Sequence, residues 1–95
     1  MKNPFIGKRV LVRTYTYSAG VHIGTLIDAE GTECHLSNAL RLWKWSGGGM
    51  SLSTVATKGI KIGMLDATPE VFLTNCIEFI PTTEEAEATF AINLS

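Results

Sequence analysis

ALRLWKWSGGGMSLSTVATKG, residues 39–59, changes from strand to helix within a single stretch. In its first seven residues, a strand would place Leu40 and Leu42 on one side and Arg41, Trp43 and Trp45 on the other. Three consecutive glycines then break the pattern. Ser51 stands where a helix N-cap is expected, and Gly59 where a helix commonly ends. The stretch therefore predicts a strand followed by a two-turn helix over residues 51–58.

The rest of the chain supplies more short strands and a second helix. Runs rich in β-branched and aromatic residues predict strands, and Gly-containing tetrads predict tight turns. Thr82, followed three residues later by Glu85, predicts a capping box at the start of the second helix. The predicted strands cover residues 8–17, 21–28, 33–37, 39–45 and 71–80, with turns at 18–20 and 29–32 and a helix at 83–93. Residues 61–70 are predicted to be a loop, with room for a short extended piece.

These elements predict a β-rich α+β fold. We expect a small antiparallel rolled sheet or half-open barrel of about five strands, with two short helices. A chain of 95 residues is one domain, residues 1–95. Its C-terminal helical segment, residues 82–95, carries Ala86, Phe90 and Leu94 at a spacing of four. We expect this stripe to serve as an oligomerisation element in a homo-oligomer.

The charge is close to neutral overall but unevenly distributed. The formal net charge is −1. Residues 1–61 hold all eight cations and three acids, a charge of +5, whereas residues 62–95 hold six acids and no cation. The favoured interpretation is that the two parts pair within the fold or across a subunit interface. The alternative is a positive site for an anionic ligand. The near-neutral total argues against duplex DNA as a partner.

The cysteines and histidines do not predict a metal site, and we expect no cofactor. Cys34 and His35 are neighbours on a predicted strand, so they face opposite sides and cannot share an ion. Two cysteines do not make a disulfide framework, and we expect Cys34 and Cys76 to be reduced thiols. No apolar run approaches the roughly 20 residues of a membrane span. We expect no membrane association and a cytoplasmic location.

The candidate binding site centres on Arg41, Trp43 and Trp45. On a strand, residues at this spacing project from one face. Such a face can stack a nucleobase and pair a phosphate, and the glycines that follow let a backbone approach a ligand closely. The alternative, which general experience with large aromatics favours, is that the tryptophans cap the core and GGG is only a flexible turn.

Four further residues complete the predicted site. Arg13 joins Arg41 as a phosphate-pairing guanidinium, and Tyr15 extends the stacking surface. His22 or Ser51 supplies one orienting hydrogen bond. His22 by itself is more typical of a structural or surface histidine than of a metal ligand.

Enzyme signatures are missing from the sequence. No Ser/His/Asp or Cys/His arrangement has supporting context, and no paired-carboxylate or HExxH motif occurs. The glutamates near the start of the second helix are typical of first-turn acids, which favour a helix N-terminus. We therefore expect a protein that is not an enzyme.

Three stretches resemble a family of small, largely uncharacterised phage and prophage proteins. They are RTYTYSAGVHIGTL (13–26), NALRLWKWSGGGMSLSTVATKGI (38–60) and VFLTNCIEFIP (71–81). The shared pattern is an Arg-Thr-Tyr, Ser-Ala-Gly-Val-His, Gly-Thr-Leu opening, then Trp-x-Trp, then Ser-Leu-Ser. This chain departs from it in its lengthened Tyr-Thr-Tyr and in GGG, where the family tends to have Gly-Ala-like residues. The resemblance implies a viral origin and supplies no established activity.

A viral origin favours a non-catalytic anti-defence role in the host cytoplasm. We expect the protein to sequester a small anionic nucleotide-type ligand, a cyclic nucleotide or ADP-ribose derivative that signals in host immunity. The alternative is a protein-binding inhibitor of a host defence complex or a small virion or assembly component, with the aromatics as a contact patch. Single-stranded nucleic-acid binding is disfavoured by the near-neutral charge.

Overall fold

The described residues of the protein fold as one antiparallel sheet of five strands with two short helices. The computed structural model describes residues 3–15, 21–46 and 51–94. The sheet order is β4-β3-β2-β1-β5, with every neighbouring pair antiparallel. The predicted fold class is confirmed, and across the described strands the sheet stays open, with β4 and β5 at its edges. The elements are β1 (Arg9–Thr14), β2 (Val21–Glu30), β3 (Glu33–Ser46), α1 (Leu52–Lys58), β4 (Ile62–Leu73), β5 (Cys76–Pro81) and α2 (Glu84–Ile92).

Both faces of the sheet are buried, each by a different cluster. Val10, Leu11 and Val12 are all fully buried because successive strand residues point to opposite faces. The helices cover the helix-side cluster, which consists of Leu11, Ile23, Leu42, Val55, Ala56, Ile60, Leu65, Ala86 and Phe90. The opposite face holds the far-side cluster, which consists of Val10, Val12, Leu26, Cys34, Leu36, Ala39, Leu73 and Cys76.

β3 is a single strand of 14 residues, not the two strands predicted at 33–37 and 39–45. The predicted break falls on Asn38, which has a left-handed backbone with φ of 45°. The register between β2 and β3 shifts beside Asn38, so this residue is the extra one of a β-bulge. A bulge bends a strand without ending it, which is why the ladder continues on both sides.

The late strands are also divided differently from the prediction. β4 occupies most of the predicted loop at 61–70, and the predicted strand at 71–80 is instead the end of β4, a turn at Thr74 and Asn75, and β5. β4 and β5 are consecutive in the chain yet lie at opposite edges of the sheet. At the turn, Cys76 N donates to Thr32 O at 2.9 Å and Thr32 Oγ1 donates to Thr74 O at 3.1 Å. These bonds join the turn between β4 and β5 to the turn before β3. Because only Thr74 and Asn75 connect the two edge strands, the sheet must roll to bring the edges together.

Local caps set the bounds of both helices. Ser51 accepts a hydrogen bond from Thr54 N, and Gly59 ends α1, as predicted. The N-cap of α2 is Thr83, which accepts from Ala86 N, so the predicted capping box starting at Thr82 is wrong by one residue. Among the described residues, neither helix is long and apolar enough to cross a membrane. Residues 16 and 17 of the first predicted strand, the turn at 18–20 and the glycines at 47–49 lie outside the described residues.

Candidate functional site

A pocket of about 210 Å³ opens on the far side of the sheet from the helices. Three residues of the predicted site, His22, Arg41 and Trp43, line it. His22 pairs with Arg41 across β2 and β3, and Arg41 pairs with Asp66 across β3 and β4. Residues paired directly across strands share a face, so these side chains form one row across the sheet. The full lining is His22, Leu40, Arg41, Trp43, Asp66, Thr68, Glu70 and Val71.

A second bulge orients the indole of Trp43. Leu42 pairs with Leu65 and Lys44 pairs with Met64, so Trp43 is the extra residue. Its Nε1 donates to Asp66 Oδ2 at 2.5 Å, and Arg41 Cζ lies 4.9 Å from the ring centroid. The side chain is nevertheless 45% exposed. The result is an indole held by an acid and a guanidinium, with much of its surface accessible at the pocket.

The same bulge sends Trp45 to the other face. An extra residue reverses the alternation of side chains beyond it, and Trp45 packs against the helix-side cluster, partly buried. The prediction that Arg41, Trp43 and Trp45 share a face is therefore wrong for Trp45. The two interpretations of the tryptophans divide between them: Trp45 belongs to the core, and Trp43 lies at the pocket.

The other predicted site residues lie away from the pocket. Arg13 follows Leu11 on the helix-side face and forms an ion pair with Glu78 at 3.4 Å, with both side chains about half exposed. Tyr15 is 66% exposed just beyond the end of β1. Ser51 is occupied as the N-cap of α1. The structure thus brings together His22, Arg41 and Trp43, and not these three.

The pocket also contains polar residues that the sequence analysis missed, all from β4. Asp66 and Glu70 add two carboxylates to the lining that contains Arg41, and Thr68 adds a hydroxyl. Glu70 Oε1 lies 2.8 Å from Nε2 of His35, the neighbouring polar residue on β3. The signal was the spacing of these residues at every second position, which is typical of a strand face. Interpreting residues 61–70 as a loop concealed it.

The described residues do not group into a cluster of metal ligands. Over residues 3–15, 21–46 and 51–94, no group of three or more His, Cys, Asp or Glu side chains is placed to hold an ion. Cys34 lies in the far-side cluster whereas His35 is partly exposed beside Glu70. The prediction that these neighbours face opposite sides is confirmed.

A family model described as a domain of unknown function, DUF6948, matches residues 7–90. The chain belongs to the DUF6948 family. No curated protein and no solved structure matches it. The match extends from just before β1 to Phe90 in α2, so all of the strands that form the pocket are part of the DUF6948 domain.

Proposed function

We propose that this DUF6948 protein is a non-catalytic, phage-encoded anti-defence protein that sequesters a nucleotide-derived signalling molecule. The observation that supports this is the convergence of His22, Arg41 and Trp43 in one pocket, with Trp43 held by Asp66. An exposed indole offers a stacking surface for a nucleobase, and stacking of this kind contributes roughly 1–3 kcal/mol per base. Thr68 contributes a hydroxyl group to the pocket lining, and this hydroxyl donates to the main-chain oxygen of Glu70.

The charges in the pocket decide the orientation of such a ligand. Asp66 and Glu70 would repel a phosphate placed between them, and their oxygens would accept hydrogen bonds from the N–H groups of a base. Phosphates would therefore lie at the rim, within reach of Arg41 and of Lys44, which is exposed immediately after Trp43. Arg13, on the other face, does not share in this role within one copy.

The size of the pocket implies a second copy. A volume of about 210 Å³ falls below the roughly 300–1,000 Å³ of sites that enclose a small molecule. One copy can hold a base-sized group, whereas a complete cyclic nucleotide or ADP-ribose derivative needs walls from elsewhere. We therefore propose that a homo-oligomer in the host cytoplasm encloses the ligand.

Titration with a panel of cyclic nucleotides and ADP-ribose derivatives tests the proposal, with calorimetry for affinity and native mass spectrometry for stoichiometry. Arg41→Ala should weaken binding about tenfold or more, because one charge-assisted hydrogen bond contributes roughly 1.5–3 kcal/mol. Arg13→Ala is the matched control and should bind like the parent protein. If no member of the panel binds, or if both arginine variants lose affinity equally, the proposed site is wrong.

A second candidate function is protein binding, as an inhibitor of a host defence complex or as a virion component. It is favoured by the exposed apolar side chains next to the pocket: Trp43 is 45% exposed, Met64 61% and Ile62 69%. Met64 and Ile62 alternate with Asp66 along β4, so they extend the pocket face into an apolar surface. Met64→Ser should leave nucleotide binding intact and should weaken capture of a host protein partner. The two functions are thereby distinguishable with one variant.

A further inference from the structure

Two cysteines that are far apart in the chain and in the strand order lie in contact. Cys34 is on β3 and Cys76 on β5, and two other strands separate β3 from β5 in the sheet. Their sulfur atoms are nevertheless 3.1 Å apart, and both residues are buried in the far-side cluster. The contact exists because the sheet rolls, and it crosses the opening that the roll leaves.

The backbone on each side of the pair is already held in place. The hydrogen bonds that join Cys76, Thr32 and Thr74 fix the turn before β5 against the turn before β3. Cys34 is paired with Ala29 on one side and with Leu73 on the other. A disulfide bond has a sulfur–sulfur distance of about 2.0 Å, so about 1 Å of approach by the two sulfur atoms would form it.

We propose that Cys34 and Cys76 are an oxidation site, at which a small-molecule disulfide such as oxidised glutathione converts the two thiols into an intramolecular disulfide. The thiolate of one cysteine attacks the glutathione disulfide, forms a mixed disulfide and releases one glutathione thiolate. The second cysteine then attacks the protein sulfur of that mixed disulfide and releases the other glutathione. Both cysteines are oxidised, one glutathione disulfide is reduced to two thiols, and the two cysteine protons pass to these thiols.

The environment assigns the order of the two steps and makes them slow. Burial raises the pKa of both thiols and keeps the reactive thiolate scarce at neutral pH. The hydrogen bond between them raises the pKa of Cys34 further and acts in the opposite direction on Cys76. Cys76 is also the more accessible of the two, at 6% exposed against 1%. Cys76 therefore attacks first, and Cys34 resolves the mixed disulfide.

The disulfide bond would fix the rolled shape of the sheet. A cross-link between β3 and β5 joins strands that the sheet itself leaves unpaired. It would join cysteines that are 42 positions apart in the chain, and a cross-link that closes a loop of this size stabilises the fold by restricting the unfolded chain. For a domain of this length we expect the melting temperature to rise by roughly 10 °C or more.

The test is to incubate the folded, reduced protein with oxidised glutathione and to count free thiols. The sequence contains two cysteines in all, so an intramolecular disulfide can only be this pair. We expect both thiols to be lost from a monomeric chain whose mass falls by two hydrogen atoms. The melting temperature should rise as stated, and dithiothreitol should reverse both changes.

Three outcomes would overturn the proposal: two free thiols after incubation, a stable glutathione adduct, or a disulfide between chains. The same reagent on the urea-unfolded chain is the positive control for thiol competence. Cys34→Ser should stop the reaction at a glutathione adduct on Cys76, and its melting temperature should not rise with oxidant. Cys76→Ser should react more slowly still, because the remaining thiol is the more deeply buried one.

Discussion

At the scale of single residues, Gly59 occupies a position that no other residue fits. Its φ is +84°, and an added Cβ would lie 2.0 Å from Thr89 Oγ1. That hydroxyl accepts from Ile60 N at 3.0 Å and donates to Ala86 O at 2.7 Å, so it cannot move aside freely. Gly59→Ala should lower the free energy of unfolding by roughly 2–5 kcal/mol, combining backbone strain and overpacking. Urea denaturation measures it.

Gly31 is the matched control for this prediction. It has a φ of +59°, and nothing lies within 4 Å of an added Cβ. Gly31→Ala should therefore cost only the backbone strain, about 1–2 kcal/mol. Equal losses at the two positions would show that the contact with Thr89 is unimportant.

The two tryptophans provide a second prediction at the residue scale. Trp45→Ala should cost about 3 kcal/mol, the lower end for a core tryptophan, because Trp45 packs against the helix-side cluster but is only partly buried. Trp43→Ala should cost about 1 kcal/mol, because its hydrogen bond to Asp66 and its contact with Arg41 are exposed. Thermal melts of the two variants compare these costs directly. A larger loss for Trp43→Ala would mean that Trp43 is a structural residue and would remove the main support for the binding pocket.

The tryptophans also show where prediction from the sequence ends. The alternation of residues 39–42 predicted the buried side of Leu42 correctly. The side of Trp45 depends on a bulge at Trp43, which arises from how β4 pairs with β3. Pairing is a property of two distant segments, so the local pattern could not reveal it. Arg41 lies before the bulge and Trp43 forms it, so the alternation still holds for this pair. The two residues line the same pocket, as predicted.

At the scale of elements, the cap of α2 offers a test that separates two adjacent threonines. Thr83 Oγ1 accepts from Ala86 N at 3.1 Å and donates to Thr57 O, the carbonyl group of a residue in α1. Thr83→Ala should therefore lower stability by about 1–2 kcal/mol. Thr82 Oγ1 donates only to Arg9 O, at 3.4 Å, and Thr82→Ala should cost less. If denaturant unfolding shows a larger loss of stability for Thr82→Ala than for Thr83→Ala, the capping box predicted at Thr82 is correct after all.

Both helices were predicted to within one or two residues because their signals are local. A cap side chain and a terminating glycine act on the backbone a few residues away, and Ser51 and Gly59 do so here. β4 was missed because an edge strand needs no continuous apolar run and tolerates a proline, here Pro69. The turn at Thr74 and Asn75 lies inside an apolar run that contains no glycine. The end of β4 and the whole of β5 were therefore predicted as one strand. Because β4 was not predicted, its pocket acids Asp66 and Glu70 were not recognised as site residues either.

At the scale of the whole molecule, opposite charges from the two parts of the chain meet within one fold. Arg9 Nη2 lies 3.0 Å from Glu87 Oε1, and Arg13 pairs with Glu78. Arg9 also donates to Asn38 O at 2.7 Å, so it ties α2 to the bulge of β3. These contacts support the interpretation that the uneven charge serves pairing within the protein. Among the cations of the described residues, Arg9 and Arg13 are used in this way.

The C-terminal segment contributes residues to the helix-side cluster, so deleting it tests the stability of the fold as well as oligomerisation. Ala86 and Phe90 are fully buried in the helix-side cluster of their own chain, so in this fold they are not exposed to a neighbouring copy. Leu94 is 43% exposed and Ile92 is 82% exposed. An oligomer that uses this segment must therefore use its outer surface. Ile92→Asp is the variant that tests this surface without opening the core, and sizing by light scattering reports the result.

A chain that ends at Pro81 should lose its cooperative melting transition. Removing a buried phenylalanine side chain such as that of Phe90 costs about 3–5 kcal/mol by itself. Small domains have a total stability of only about 5–15 kcal/mol, and the truncation also removes Ala86 and the bonds of Thr83 and Glu87. Ile92→Asp should melt cooperatively at nearly the parent temperature. A shortened chain that still melts cooperatively as a monomer would mean that α2 is an attachment to the sheet, and that its place is on a neighbouring copy.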